Sequence, residues 1–268
     1  MAIQNEKKLN YLIRTLPEGF LVDSTWMESA GYSRALRKQY VDAGWLDQPM
    51  RGVYRRSRGP LGWEQVVASL QSLLSYPVSI GGRTALELQG YGHYVSPAFQ
   101  DIYLYIDGKL PGWVSKLPID QEFKIRNRSR LLPKIKPEVF EDESSNRPGA
   151  LRQIELGGLA LIVSAPERAI LEMLDEIPRH ETFHNVDVTM EGLVNLRPKT
   201  MQSLLEKTKS IKVKRLFFFF ADRFDHRWLS KIAREQIDLG TGKRVIAEGG
   251  TLDRTYQITV PGNLDASY

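Results

Sequence analysis

Six carboxylates, Asp101, Asp107, Glu167, Glu172, Asp175 and Glu176, are the side chains from which acid–base chemistry or cation binding would be built. The last three of the set, Glu172, Asp175 and Glu176, are spaced to share one side of a helix, which could hold a cation, although an exposed acidic helix end is the commoner use of such a pattern. None of the six has a distinctive partner arrangement. His180 and His184 are four residues apart, the separation that aims two ligands from one helical face, but Glu181-Thr182-Phe183 between them is not the metalloprotease order and no third ligand is evident. Asp238-Leu239-Gly240-Thr241-Gly242-Lys243-Arg244 has glycines and a lysine like a phosphate loop. A P-loop needs four residues between its glycines and Ser or Thr after the lysine, however, whereas here one residue separates the glycines and Arg244 follows. No Ser-His-Asp nucleophile elbow occurs. The chain has 0 Cys, which removes disulfides, thiolate zinc sites, iron–sulfur clusters and cysteine nucleophiles together. No catalytic, cofactor or metal site is expected.

The other chemistry within reach is recognition of a polyanion. The 268 residues carry a formal net charge of +5, and residues 1–58 hold ten Lys/Arg against six Asp/Glu, a net of +4. Lys8 to Leu16 has helical apolar spacing, stopped by Pro17 and Gly19, and Phe20 to Val22 is a short extended piece. Asp23 or Ser24 caps a helix carrying Trp26, Met27 and Ala30, and Gly31 ends it. Ser33 opens a third helix, Arg34 to Ala43, in which Leu36, Tyr40 and Ala43 project inward and Arg34, Arg37 and Lys38 project to the other side. Gly44 ends it, and a strand at Trp45 to Asp47, a turn at Gln48 to Met50 and a strand at Arg51 to Arg56 follow. Helix, helix, helix and hairpin in these sizes fit a winged helix-turn-helix. A helix with an apolar face and a basic face fits the major groove of DNA, with Ser33, Arg34, Arg37 and Lys38 on the reading helix and Arg51, Tyr54, Arg55 and Arg56 on the wing. A solvated basic helix on a protein-interaction module would have the same pattern.

Gly59-Pro60-Leu61-Gly62 reads as a linker, giving an expected division into residues 1–58 and 63–268. Beyond it, helices are expected at Trp63–Leu74, from Gly82 through Leu88, at Ser164–Leu174 with Ser164 as cap, at Thr200–Lys209 and at Val213–Phe224. Strands are expected at Val78–Ile80, Ile102–Ile106, Glu122–Arg128 and Leu156–Val163, and strand character returns between Val245 and Val260. An acidic excursion is expected over residues 141–148. The fold class is therefore α+β: an N-terminal winged helix-turn-helix followed by a larger mixed α/β domain. Lys124, Arg126, Arg128 and Arg130 alternate with period two, so they are expected on one face of a strand, as a partner or polyanion surface or as the wet face of a sheet. The aromatic run Phe217 to Phe220 with Phe224 and Trp228 reads as core, and Lys207, Lys209, Lys212, Lys214 and Arg215 as a solvated basic rim. Met1 to Lys8 lacks the apolar stretch of a secretory signal, and the longest apolar run, Leu216 to Ala221, is six residues against the roughly 20 that cross a bilayer. A cytoplasmic location with no membrane partner is the expectation.

Four stretches together carry a family likeness. Residues from Gly19 to Arg56 resemble the winged helix of AbiEi-type antitoxins of type IV toxin-antitoxin systems. Gly81-Gly82-Arg83-Thr84-Ala85-Leu86 with Gly90 to Tyr94, Ser164 to Glu172, and the tail from Leu239 to Arg244 and on through Gly249 to Pro261 resemble the C-terminal domain of that family. The resemblance implies a DNA-binding autorepressor and antitoxin. Its N-terminal domain would bind inverted repeats in double-stranded operator DNA upstream of its own operon. Its C-terminal domain would counteract a cognate nucleotidyltransferase-like toxin without necessarily forming a stable complex. A nucleic-acid-modifying enzyme with a winged-helix targeting module and a regulator responsive to a small molecule are the alternative readings.

Overall fold

The computed structural model describes residues 2–57, 59–92, 100–136, 146–147 and 149–264. The chain folds as two compact units: one runs to Val78 and takes in Lys109–Phe123 and Ile154–Leu161, and the other takes in Ser79–Gly108, Lys124–Gln153 and the chain from Ile162 onward. Much of the expected acidic excursion lies outside the described residues.

The first unit opens with helix α1 (Ala2–Thr15), strand β1 (Leu21–Asp23), helix α2 (Ser24–Ser29) and helix α3 (Arg34–Asp42), followed by strands β2 (Asp47–Met50) and β3 (Val53–Arg55). The strands form an antiparallel sheet in the order β1-β3-β2. Asp23 caps α2 by accepting from the Trp26 amide at 2.9 Å, and Ser33 caps α3 by accepting from the Leu36 amide at 3.3 Å. Each satisfies an amide that the first helical turn leaves without a partner. Between these helices Gly31, at φ +82°, turns the chain in the left-handed region that a side chain disfavours. Leu12, Leu16, Val22, Met27, Tyr32, Leu36, Tyr40 and Leu46 form the core beneath them.

The hairpin is displaced from its expected place. Its turn is Arg51-Gly52, between the Met50–Val53 pair, and Gln48-Pro49-Met50 belong to β2. Gly52 at φ +83° meets the demand of a two-residue turn, and Pro49, which has no N–H to give a ladder, sits on an edge strand. Helix α4 (Trp63–Ser72) belongs to the same unit: Ser69 Oγ accepts from the Leu21 amide at 2.8 Å. The expected division at Gly59–Gly62 thus falls inside this unit.

A six-stranded sheet has the order β6-β5-β4-β9-β8-β7, made of β4 (Val78–Ile80), β5 (Asp101–Ile106), β6 (Glu122–Asn127), β7 (Asn146–Arg147), β8 (Leu151–Leu156) and β9 (Leu159–Ser164). Gly157 and Gly158, both at positive φ, separate β8 from β9. β4 and β9 run parallel. The second unit adds helices α5 (Gly82–Leu88), α6 (Pro166–Glu176), α7 (Phe183–Gly192), α8 (Pro198–Lys207) and α9 (Ile211–Phe224), then the antiparallel pair β10 (Thr251–Asp253) and β11 (Ile258–Val260). The cap of α6 is Ala165 and not Ser164, which ends β9, and Pro166 takes the first helical position where its missing N–H costs nothing. Phe217, Phe218 and Phe220 on α9 are fully buried, with Phe217 packed on Trp228 at 5.8 Å between ring centroids. The architecture is α+β, with a helical N-terminal region and a larger mixed domain.

Candidate nucleic-acid interface

The exposed side of α3 is made by Arg34, Ala35, Lys38, Gln39 and Asp42, with the capping Ser33 at its start. Arg34 and Lys38 are one turn apart, and neither makes an ion pair or side-chain hydrogen bond with the described residues. Gln39 was not among the residues singled out from sequence. It lies on the same stripe, and its amide has both the donor and the acceptor that an adenine edge can pair. Asp42 is the one carboxylate of this stripe among the described residues.

Arg37 corrects the expected basic face. It is three positions from Tyr40, about 60° around the helix, and so stands at the edge of the buried sector. Its side chain turns inward and is buried. Arg37 Nη1 donates to the Ser24 carbonyl at 3.1 Å, Nη2 donates to Glu28 Oε1 at 2.8 Å, and the guanidinium lies 5.7 Å from the Tyr54 ring centroid. These contacts tie α3 to α2, so Arg37 positions the exposed helix and does not belong to its surface. Ala43, expected inward, is exposed.

The wing is corrected in a similar way. Tyr54 and Arg55 are buried; Arg55 Nε is 3.3 Å from Asp47 Oδ2, and its Nη2 donates to the Gly59 carbonyl at 2.6 Å. Arg56 donates to the carbonyls of Ile13 at 2.9 Å and Leu16 at 3.0 Å and pairs with Glu18. It neutralises the orphan carbonyls at the end of α1. Arg51, at the tip of the hairpin, is the exposed cation of this group, with no ion pair to the described residues. The tip itself is held down, since the Gly52 carbonyl accepts from the Ser24 amide at 2.8 Å. Lys8 also acts internally, its Nζ donating to the Gly31 carbonyl at 2.7 Å in the α2–α3 turn.

The second basic series does not share one strand face. β6 ends at Asn127, and Arg128–Arg130 is a 3₁₀ turn. Lys124 is 3.6 Å from Asp101, and Arg126 holds Glu176 through two bonds of 2.7 Å. Arg128 is 1% exposed and donates to the Tyr105 carbonyl at 2.6 Å, while Arg130 stays exposed. Burial, with the nearby Arg168 charge added, pushes the Arg128 guanidinium down to about 10.

The remaining chemical candidates are used up structurally. Glu172 is buried and accepts from the Gly82 amide at 3.0 Å and from Arg168 Nε at 2.7 Å; with Glu176 it departs from the exposed acidic helix end expected from the sequence. Asp107 accepts from the Ser129 amide at 2.7 Å. The Gly240–Gly242 turn presents carbonyls, not amides: Leu239 and Gly242 each accept from Arg215 at 2.7 Å. Such a turn grips a cation and cannot cradle a phosphate. Arg215 and Lys214 are buried, so the expected rim is only partly solvated. Among the described residues no group of three or more His, Asp or Glu is placed to hold a metal ion, and no helix is long and apolar enough to cross a membrane.

Three helices, a β1-β3-β2 sheet and an exposed, partly basic third helix define a winged helix-turn-helix, the architecture of many transcription regulators. A family model described as the N-terminal domain of the AbiEi antitoxin transcriptional regulators matches residues 5–97, and one described as a transcriptional regulator, AbiEi antitoxin, type IV TA system, matches residues 100–261. The chain belongs to this family of type IV antitoxin transcriptional regulators. A crystal structure of the RV2827C protein from Mycobacterium tuberculosis is similar in fold, with a TM-score of 0.56 at 13% identity over 93% of this chain and 88% of that one. No curated protein sequence matches the chain.

Proposed function

We propose that this antitoxin regulator represses its own operon by binding inverted repeats in the upstream double-stranded DNA, with α3 in the major groove. Arg34, Lys38 and Gln39 face the DNA, Ser33 lies at the start of the helix, and Arg51 reaches the flanking backbone. The helices and hairpin within residues 1–58 act as the DNA-binding part, and the C-terminal part counteracts a cognate nucleotidyltransferase-like toxin in the cytoplasm without requiring a stable complex. The observation that carries the reading is the contrast within α3. Arg37 is consumed in bracing the helix, while Arg34 and Lys38 are exposed without partners among the described residues. Engagement of the buried carboxylates Glu167, Glu172 and Glu176 by arginines supports a regulator over a catalyst.

Titrating the upstream duplex by fluorescence anisotropy at several salt concentrations tests the reading. Arg34 and Lys38 read base edges and Arg51 neutralises one phosphate in each half-site, which for the two half-sites of an inverted repeat gives a log–log slope of about −1.8. A slope near zero, or equal affinity for a scrambled duplex, contradicts it. Expressing the neighbouring gene alone tests the antitoxin half: growth arrest relieved by this protein is expected, and harmless expression contradicts it.

A further inference from the structure

The second unit contains a cavity of about 770 Å³ between residues 132–136, Gly149 and Ala150, Arg168 of α6 and one face of α8. This size is in the range of small-molecule sites, roughly 300 to 1,000 Å³. Its ionisable lining is entirely cationic among the described residues: Lys134, Lys136, Arg168, Arg197, Lys199 and Lys207. Four of these, Lys134, Lys136, Lys199 and Lys207, gather positive charge around a concavity with no carboxylate among its described lining residues, and such a field concentrates anions.

The six cations have two roles. Arg168 and Arg197 are fixed from behind. Arg168 Nε donates to Glu172 at 2.7 Å and its Nη1 to the Gly149 carbonyl at 3.0 Å, while Arg197 holds Glu167 through Nε at 3.0 Å, Nη2 at 2.9 Å and its backbone amide at 2.7 Å. The four lysines are exposed and make no ion pair or hydrogen bond with the described residues. Lys199, Ser203 and Lys207 recur every fourth residue of α8, and Thr200 adds a second hydroxyl to that face. The N-terminus of α8 is already occupied by a carboxylate, since the Arg197 amide donates to Glu167 and Pro198 has no N–H, so the side chains of the helix and not its end face the cavity. Apolar groups supply the other wall, with Leu132, Ala150 and Leu204 buried there. A second cavity in this unit is different in kind, because Glu176 and Asp175 in its lining already pair with Arg126 and Lys212.

We infer that this cavity binds a nucleoside di- or triphosphate. The phosphates sit among the four lysines and the α8 hydroxyls, and the base packs on the Leu132–Ala150–Leu204 wall. The inference stands independently of operator binding, whose residues lie on α3 and at the tip of the β2–β3 hairpin.

Isothermal titration of the full chain with ATP, GTP and inorganic triphosphate as probes tests it, repeated on Lys199→Ala/Lys207→Ala and Lys134→Ala/Lys136→Ala. A lysine–phosphate pair in a solvated cavity contributes about a fivefold factor, so each double variant is expected to weaken binding about 25-fold. Ser203→Trp, which fills the cavity from the surface of α8, is expected to abolish it. Arg34→Ala/Lys38→Ala is expected to leave it unchanged. The proposal is overturned by absence of saturable one-to-one binding, by binding that survives the lysine and Trp substitutions, or by binding lost with the α3 pair. Inorganic triphosphate binding as tightly as ATP overturns the placement of a nucleoside on the apolar wall.

Discussion

Replacing Arg37 by alanine separates positioning of α3 from contact by α3. The substitution removes the bonds to the Ser24 carbonyl at 3.1 Å and to Glu28 at 2.8 Å, together with the stacking over Tyr54. Glu28 is 63% exposed, so its ion pair contributes at most about 1 kcal/mol. The bond from a charged donor to the buried side of the α2 backbone contributes about 1.5 kcal/mol, and the cation over the ring about 0.5 kcal/mol. Relief of the buried Arg37 Nε, which has no hydrogen-bond partner, offsets part of this. The net destabilisation is about 2 kcal/mol, localised where α2 meets α3. Native-state hydrogen exchange of the full chain reads it directly: amides of α2 and α3 that exchange by local opening should speed up by a factor of about 30. DNA affinity should fall for specific and scrambled duplexes alike, because the whole helix is less well held. Unchanged exchange together with selective loss of operator preference would refute the bracing argument and put Arg37 on a base edge.

Three further outcomes follow from the packing and the charges. Phe217→Ala, which empties a fully buried site against Trp228, should cost about 3 to 5 kcal/mol, read as a lower urea midpoint of the second unit. Tyr32 is pushed up to about 12 by burial and then by the neighbouring Tyr40 and Tyr11. Its folded value exceeds its ordinary one of 10.0, so its contribution to stability is complete below pH 10 and is lost as pH rises toward about 12; Tyr32→Phe should flatten the urea midpoint over that window. Glu167 is subject to burial, which alone would raise it, but the hydrogen bonds from Arg197 prevail and hold it below 4.5. Its stabilisation is therefore present above that pH and lost as pH falls further, and Glu167→Gln should reduce the acid dependence of unfolding.

How much of this was legible in the sequence depended on whether a signal was local. The capping residues Asp23 and Ser33, Gly31 between the helices and the apolar spacing of α1 and α3 act within a few residues, and the order of helices and hairpin could be read from them. The role of Arg37 could not, because it depends on Glu28 and the Ser24 carbonyl, which are brought to it only when α2 and α3 pack. Period two in Lys124 to Arg130 was misleading past Asn127, where the chain leaves the strand and Arg128 finds the Tyr105 carbonyl. Helix α7 went unread because Phe183, Val186 and Met190 are interrupted by the polar His184, Asn185 and Asp187, of which Asp187 finds its partner far along the chain in Arg223 at 2.7 Å. The glycine turn at Gly240–Gly242 shows the same limit, since composition does not tell whether amides or carbonyls point inward. The cation-lined cavity draws on residues 132–136, 149–150, 168 and 197–207, a grouping made only by the fold.

The most direct measurement is the affinity of Arg34→Ala/Lys38→Ala for the native upstream duplex relative to a scrambled one, at fixed salt and alongside the unchanged protein. A stable, normally folded variant is expected whose upstream affinity falls by at least about 30-fold, from two contacts of about 1 to 3 kcal/mol each, with the preference over scrambled DNA largely lost. A variant that binds the upstream duplex with undiminished affinity and preference would contradict the assignment of α3 as the reading helix.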